Sequence, residues 1–204
     1  MKAGWRCLLY SLMSKSEFCS WLFNTRKEGT AIPHRPMLHI GRCTLAVTME
    51  KMIAFSNGNL RDMNHLMCVW TYAKTIGELE GLDRKTQETL EIAAITHDIA
   101  CPLCREKYGN TNGKRQEEEG GPLVRSFLAD AGLSAEQVDR VAYLVSHHHT
   151  YTDIDGIDYQ ILIEADYIVN ASESGYSPEN RKNFLEEHVN NPRPKGHGLV
   201  TAQS

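Results

Sequence analysis

Apolar residues recur at spacings of three and four along most of the chain from Met49 onward, which is the period of a helix with one buried face. After His65, this row consists of Val69, Tyr72, Ala73 and Ile76. The same period predicts helices over residues 60–80, 84–99, 115–131 and 158–173. Ser134 opens the capping box Ser-Ala-Glu-Gln, which marks the start of another helix. With no repeat, heptad array or strand pair visible, the sequence predicts an all-α fold, a compact helical bundle.

The first 48 residues differ from the rest in charge and pattern. They carry seven Lys or Arg residues and two Glu, a net charge of +5, without a sustained helical or strand period. We predict a poorly ordered N-terminal extension over 1–48, a helical domain over 49–175, and a C-terminal helix and tail over 176–204. Met49 is a candidate start of translation, in which case the extension lies outside the native protein. A secretory signal or an organelle transit peptide is the alternative, although the apolar segment CLLYSLM is short.

Charge and hydropathy exclude several classes of partner. The formal net charge of the whole chain is −4, so no global positive field attracts nucleic acid, and we expect no nucleic-acid polymer as partner. No apolar run approaches the roughly 18 residues that a membrane span needs, so we expect a cytoplasmic protein without a membrane partner. No dimerisation seam is visible in the pattern.

Several predicted helices place a His or Asp on the apolar face, and these residues are His65, His97, His148 and Asp166. For any one of them, a hydrogen-bonded core residue is the alternative. Burying a carboxylate without a partner is costly, whereas a divalent cation removes that cost and accepts imidazole and carboxylate as ligands. Helical bundles build metal sites from facing helices in this way. The pattern therefore predicts a metal site between helices, which Asp98 reaches beside His97.

The ordered series His65, His97-Asp98 and Asp166 resembles the H…HD…D signature of the HD-domain superfamily of metal-dependent phosphohydrolases. The segments HLMCVWTYAKTIGELEGLD, LEIAAITHDIA and LIEADYIVNAS resemble the helices that carry this signature. The resemblance covers roughly residues 50–175. It implies an all-α bundle around a metal, with these four residues as the matching ligands.

The same resemblance implies an activity and a cofactor. Such proteins hydrolyse phosphate esters of nucleotides and other small phosphorylated metabolites, with a metal-activated water as nucleophile. A set of His and carboxylate ligands fits Mn, Mg, Fe, Co, Ni or Zn. The alternative is a non-catalytic, metal-stabilised helical module that binds a nucleotide or a protein partner.

Some members of the family hold two metals with additional histidines, so we expect one or two ions per chain. His147 and His148 occupy the matching region, and Glu117 stands where such members often place a His. Alternatively, His147 or His148 contacts the phosphate or donates a proton to the leaving group. The alternative for Glu117 is that the three consecutive Glu residues form the solvated N-terminal part of a helix.

Residues 101–114 contain Pro102 and two Gly-Asn or Asn-Gly pairs, so we predict a loop there. The cations in and after this stretch, Lys107, Lys114 and Arg115, are expected to contact substrate phosphate, with plain surface charge as the alternative.

Cys101 and Cys104 form a Cys-x-x-Cys pair beside the predicted site. A redox motif needs a βαβ context, and a structural zinc needs a second ligand pair. The sequence offers neither, so we expect two incidental thiols.

Overall fold

The computed structural model describes residues 44–189, and every regular element within that range is helical. In chain order the helices are α1 (Thr44–Phe55), α2 (Leu60–Leu79), α3 (Arg84–Thr96), α4 (Cys101–Tyr108), α5 (Gly113–Leu128), α6 (Ala135–Val145), α7 (Ile157–Glu173) and α8 (Pro178–Phe184). A short π-helical segment, Leu185–Val189, follows α8. The prediction of an all-α fold is confirmed. Within the described range, no helix combines the length and apolar character of a membrane span.

Two helices form the centre of the bundle. Every residue of α3 from Thr89 to Thr96 is buried, as is every residue of α7 from Asp158 to Asp166. A helix that is buried on all sides is surrounded by other helices, and α3 packs against α1, α2, α6 and α7. The end of α3 and the middle of α7 therefore lie deep in the protein, where His97, Asp98 and Asp166 occur.

Side-chain caps determine where several helices begin. Asn59, Asp83, Asn112, Ser134 and Ser177 each accept a hydrogen bond from a backbone N–H in the first turn of the following helix. Such caps satisfy donors that have no partner within the helix. The capping box predicted at the start of α6 is present in full.

The prediction of a loop over 101–114 is wrong, because its first part is α4. Pro102 lies in the first turn, where its missing N–H costs no hydrogen bond. Gly109 ends the helix in the left-handed conformation with φ of 71°, which a glycine adopts without strain. The residues that indicate a loop in the sequence are the start and stop signals of a two-turn helix.

Helix α1 begins at Thr44, before Met49, and buries Thr48 and Met52 against the bundle. Residues 1–43 and 190–204 lie outside the described residues, including the predicted tail at 192–198. The N-terminal extension, the candidate start at Met49 and the domain boundaries remain predictions.

Candidate metal centre

Two histidines from different helices bring their Nε2 atoms to 3.2 Å from each other: His65, in α2, and His97, directly after α3. The Nδ1 of His97 lies 2.9 Å from the carbonyl oxygen of Ala94, so Nδ1–H is the donor and, in the neutral ring, Nε2 carries a lone pair. The Nδ1 of His65 lies 3.3 Å from Oε2 of Glu173, which favours the same tautomer. Two lone pairs therefore face each other, an arrangement that requires a proton or a cation between them.

Two carboxylates complete this cluster. Oδ1 of Asp166 lies 3.2 Å from Nε2 of His65 and 3.5 Å from Nε2 of His97. The oxygens of Asp98 lie 3.7 Å from each of the same nitrogens. Ligand atoms of His65, His97 and Asp98 all fall within 4.8 Å of one another. The structure thus brings together the four residues predicted as ligands, and we refer to them as the metal cluster.

The pKa values of the cluster show how strongly it attracts positive charge. Burial disfavours protonated His65, but the hydrogen bond to Asp166 and the charge of Asp98 outweigh burial and raise its pKa to about 9. For His97, burial is likewise outweighed by Asp98 and Asp166, and its pKa is raised.

The two acids respond in the opposite sense. Burial alone would raise the pKa of both carboxyls, but the charges and contacts of His97 and His148 hold the pKa of Asp98 below its usual value. The hydrogen bonds from His65 and His97 do the same for the pKa of Asp166. Both acids are therefore ionised at neutral pH, the form in which a carboxylate binds a metal.

A second group of ligand atoms lies on the other side of Asp98, where His148 and His149 follow the end of α6. Nδ1 of His148 donates to the carbonyl of Val145 at 2.8 Å, and its Nε2 lies 3.5 Å from Oδ1 of Asp98. Among the described residues, the buried Nε2 atoms of His148 and His149 have no hydrogen-bond partner. Burial, followed by the charge of His148, lowers the pKa of His149 to about 4, so this ring is neutral.

Buried imidazole nitrogens without partners are costly unless a ligand satisfies them. Asp98, His148 and His149 offer three ligand atoms within 4.8 Å of one another. Together with the facing lone pairs of the metal cluster, these atoms fit divalent cations better than an internal hydrogen-bond network. Asp98 belongs to both groups and lies between them.

Glu117 and His147 do not join either group. Oε1 of Glu117 accepts hydrogen bonds from the backbone N–H of His149 at 3.0 Å and from the hydroxyl of Thr150 at 2.9 Å. Glu117 therefore supports the turn that carries His149. The ring of His147 stacks on Tyr143 at 4.2 Å between centroids, and its Nδ1 donates to the Tyr143 carbonyl. The inward histidine that the sequence did not identify is His149.

The metal cluster opens into a cavity of about 610 Å³, which we call the metal cavity. Two cations line it, Arg61 of α2 and Arg105 of α4. Arg105 forms an ion pair with Asp62, which also lines the cavity. Arg61 is exposed and makes no ion pair or hydrogen bond with a described residue. All N–H donors of the Arg61 guanidinium are therefore available to bind an anion in the metal cavity.

The three cations predicted as phosphate contacts lie elsewhere. Lys107 pairs with Glu119 at 2.6 Å, and Arg115 pairs with Glu118 at 2.8 Å. Lys114 is exposed, and none of the three belongs to the described residues that line the metal cavity. Arg115 lines a separate pocket that shares Asn110 and Thr111 with the metal cavity, and phosphate contact by the three cations stays a prediction.

Cys101 lines the metal cavity, and its thiol donates to Oε1 of Gln116 at 3.1 Å. Burial, with the charge of Asp98, raises the pKa of the Cys101 thiol, and burial also raises that of Cys104. Both thiols are free. A raised pKa keeps both thiols protonated, the less nucleophilic form, in the metal-free protein, and their role as incidental cysteines stays a prediction.

Several cavity residues that the sequence analysis missed continue the helical rows of the ligands. Arg61 lies four residues before His65, Asn170 lies four after Asp166, and Glu173 lies seven after Asp166. Spacings of four and seven place side chains on one face of a helix. Extending each row in both directions would have identified them.

Comparison with known proteins agrees with this geometry. The sequence model of the HD domain matches residues 63–181, more than half of the chain. The chain therefore belongs to the HD-domain superfamily of metal-dependent phosphohydrolases, as its motif predicted. HD domains bind divalent metals, and the His and Asp groups described above are able to hold them. No curated protein and no solved structure matches the sequence.

Proposed function

We propose that this protein is a divalent-metal-dependent phosphohydrolase that cleaves a phosphate ester of a nucleotide or another small phosphorylated metabolite. One observation carries the proposal: the Nε2 atoms of His65 and His97 and Oδ1 of Asp166, all able to act as metal ligands, converge within 3.5 Å. A structural core histidine needs one partner opposite it, whereas two imidazoles and a carboxylate that converge on one point provide the ligand types of a cation site.

The residues around the cluster supply the remaining parts of a hydrolytic site. When bound, a divalent cation activates water and polarises a phosphoryl oxygen. Glu173 and the Ala94 carbonyl hold the two imidazoles in the ligand tautomer. The Arg61 guanidinium faces the same cavity and binds the phosphate, because a planar fork of donors matches phosphate oxygens. The role of Arg105 is to add positive potential while Asp62 fixes its position.

The substrate that this site suits is small. The metal cavity of about 610 Å³ lies within the range of small-molecule pockets. A nucleic-acid polymer needs a track of cations along the surface, and this cavity offers Arg61 and Arg105 beside several acids. The free thiols of Cys101 and Cys104 support a reducing, cytoplasmic location.

The second group of possible ligand atoms bears on the number of metal ions. We propose a second ion on Asp98, His148 and His149, supported by the partnerless Nε2 atoms of the two histidines. The His and carboxylate ligands of the two groups are compatible with Mn, Mg, Fe, Co, Ni and Zn.

The first experiment is elemental analysis of the purified protein beside the variant His97→Ala/Asp98→Ala, with His147→Ala as a control outside the cluster. We expect one or two equivalents of metal per chain, lost in the double variant and retained in the control. Phosphate release from a panel of nucleotides and sugar phosphates, with each divalent ion, then tests hydrolysis.

Each outcome has a distinct meaning. Metal without phosphate release from any ester would favour the non-catalytic module. Absence of metal after reconstitution with each ion would identify the inward residues as a hydrogen-bond network and refute the hydrolase. Hydrolysis that persists in the double variant would refute the site.

A further inference from the structure

A second cavity, of about 370 Å³, adjoins the metal cavity. Tyr151, Asn170 and Tyr176 line both of them. A ligand held at the metal cluster can therefore extend past these three side chains into the second cavity. We call this second cavity the aromatic lobe.

Rings form most of its wall. The aromatic and imidazole side chains that line it are Tyr151, Tyr167, Tyr176, Phe184 and His188. Tyr167 and Phe184 stack with centroids 3.5 Å apart, and Tyr176 packs on Tyr167 at 5.6 Å. Tyr151 contacts His188 at 5.3 Å. These mutual contacts orient the rings before a ligand arrives, which lowers the entropy that binding must offset.

The polar groups of the lobe include the side-chain amides of Asn170, Asn180 and Asn183 and the carboxylate of Glu187. Asn183 is exposed and makes no hydrogen bond with a described residue. The carbonyl of Asn180 accepts from the Tyr167 hydroxyl, so its NH₂ group remains a donor. An amide presents a donor and an acceptor side by side, as does the edge of a heterocyclic base.

Charge separates the two cavities. Arg61, Arg105 and the ionised acids line the metal cavity, whereas no Lys or Arg is among the described residues that line the aromatic lobe. The lobe is therefore a poor site for a second phosphate. It is also a poor site for an alkyl chain, since three amides would lose hydrogen bonds to water without replacement.

We propose that the aromatic lobe is a binding subsite for a planar, hydrogen-bonding heterocycle of the nucleobase type, so that the substrate is a nucleoside phosphate with its ester at the metal cluster. This assignment rests on the proposed function for the position of the phosphate. The ring stacks on Tyr151 or Tyr176, because base–aromatic stacking accepts any base, and the free amide of Asn183 reads its edge. The lobe thus selects nucleoside phosphates over simple sugar or glycerol phosphates.

Binding of a nucleoside tests the lobe without any hydrolysis. Adenosine and cytidine carry no phosphate ester, so they can be studied by saturation-transfer NMR with the full-length protein in a Mg²⁺ buffer. We expect stronger saturation of the base protons than of the ribose protons. This signal should fall at least fivefold in Tyr176→Ala and in Asn183→Ala, and should persist in Tyr72→Ala, which removes an exposed tyrosine from α2.

Kinetics provide a second test on the metal-loaded enzyme. The selectivity for AMP is the ratio of kcat/KM for AMP to kcat/KM for glycerol 3-phosphate. We expect this ratio to fall at least tenfold in Tyr176→Ala, because KM for AMP rises. It should stay constant in Tyr72→Ala. Equal base and ribose saturation, or base signals unchanged in both lobe variants, would overturn the assignment. If no phosphate ester is hydrolysed, the proposed function fails, while the NMR result still decides whether the lobe binds a base.

Discussion

The carboxylate of Glu173 lies 3.3 Å from Nδ1 of His65, so it contacts the ring nitrogen that faces away from the metal cluster. This contact directs the Nε2 lone pair of His65 towards His97 and Asp166. Glu173 lies at the end of α7 and His65 lies in α2. The contact therefore also joins the helix of His65 to the helix of Asp166. Carboxylates in this position increase the basicity of a histidine ligand.

Removing the charge of Glu173 should weaken metal binding. In Glu173→Gln, an amide remains beside His65 but the ring loses its anionic partner, so we expect metal affinity to fall about 10- to 100-fold. Competition with a chromophoric chelator measures the affinity. Glu179→Gln, at the exposed start of α8, is the matched control and should bind metal like the wild type. Equal affinities for the two variants would contradict the role of Glu173.

Two neighbouring histidines should give opposite results. His148 is buried with Nε2 directed at Asp98, whereas His147 stacks on Tyr143. His148→Ala should lose at least half of the bound metal and lower kcat by at least about 100-fold, because general electrostatic stabilisation at such sites is of that size. His147→Ala should keep its metal content. Elemental analysis and steady-state kinetics of both variants measure this, and loss of metal from His147→Ala alone would reverse the assignment.

The metal-free protein should lose stability as the pH rises above neutrality. The pKa of His65 is about 9 in the folded protein, against an ordinary value of 6.5 for a histidine in an unfolded chain. A raised pKa contributes stability that is complete below pH 6.5 and is lost as the pH rises through 9. His97 acts in the same direction. The melting temperature of chelator-treated protein should therefore fall over this interval, as differential scanning calorimetry can measure.

Metal binding should show the reverse dependence on pH. The proton on His65 occupies the lone pair that a cation would use, so binding displaces it. Apparent affinity should rise about tenfold per pH unit while one proton is released, until the pH reaches the pKa of His65. Affinity that is independent of pH between neutrality and pH 9 would show that His65 is not a ligand.

Arg61 should matter for the phosphate and not for the metal. It lines the metal cavity one helical turn before His65 and makes no ion pair with a described residue. Loss of a charge-assisted hydrogen bond costs about 1.5–3 kcal/mol, so Arg61→Ala should raise KM about 10- to 100-fold with unchanged metal content. Arg84→Ala, exposed at the start of α3, is the control. An unchanged KM in Arg61→Ala would exclude it from phosphate binding.

The period of the apolar residues predicted the all-α class and the inward position of the metal cluster, because both depend on helical register. The helical row is less informative where the helix ends. Helix α6 ends at Val145, and the following turn brings His149 inward while His147 stays on the outer side. Helical spacing does not predict the direction of a side chain beyond the last helical turn, because the backbone no longer rotates by a constant angle per residue.

The predicted phosphate contacts depend on which face of a helix they occupy, and they stay a prediction. Proximity in sequence to His97-Asp98 suggested Lys107, but α4 was not predicted, so its faces were unknown. Arg105 and Lys107 are two residues apart, which places them on nearly opposite sides of a helix. Arg105 therefore meets the cavity, and Lys107 pairs with Glu119.

The proposed ligands His65 and Asp166 are 101 residues apart in the chain, with most of the domain between them. During synthesis, His65 leaves the ribosome long before α7 is made, and a chain that stops short of α7 can offer only part of the metal cluster. Tight metal binding is therefore delayed until nearly the whole bundle has been translated and has closed around α3. A chain that ends before Asp166 lacks one of the four residues of the metal cluster, so under the proposed function hydrolysis requires a chain that includes α7.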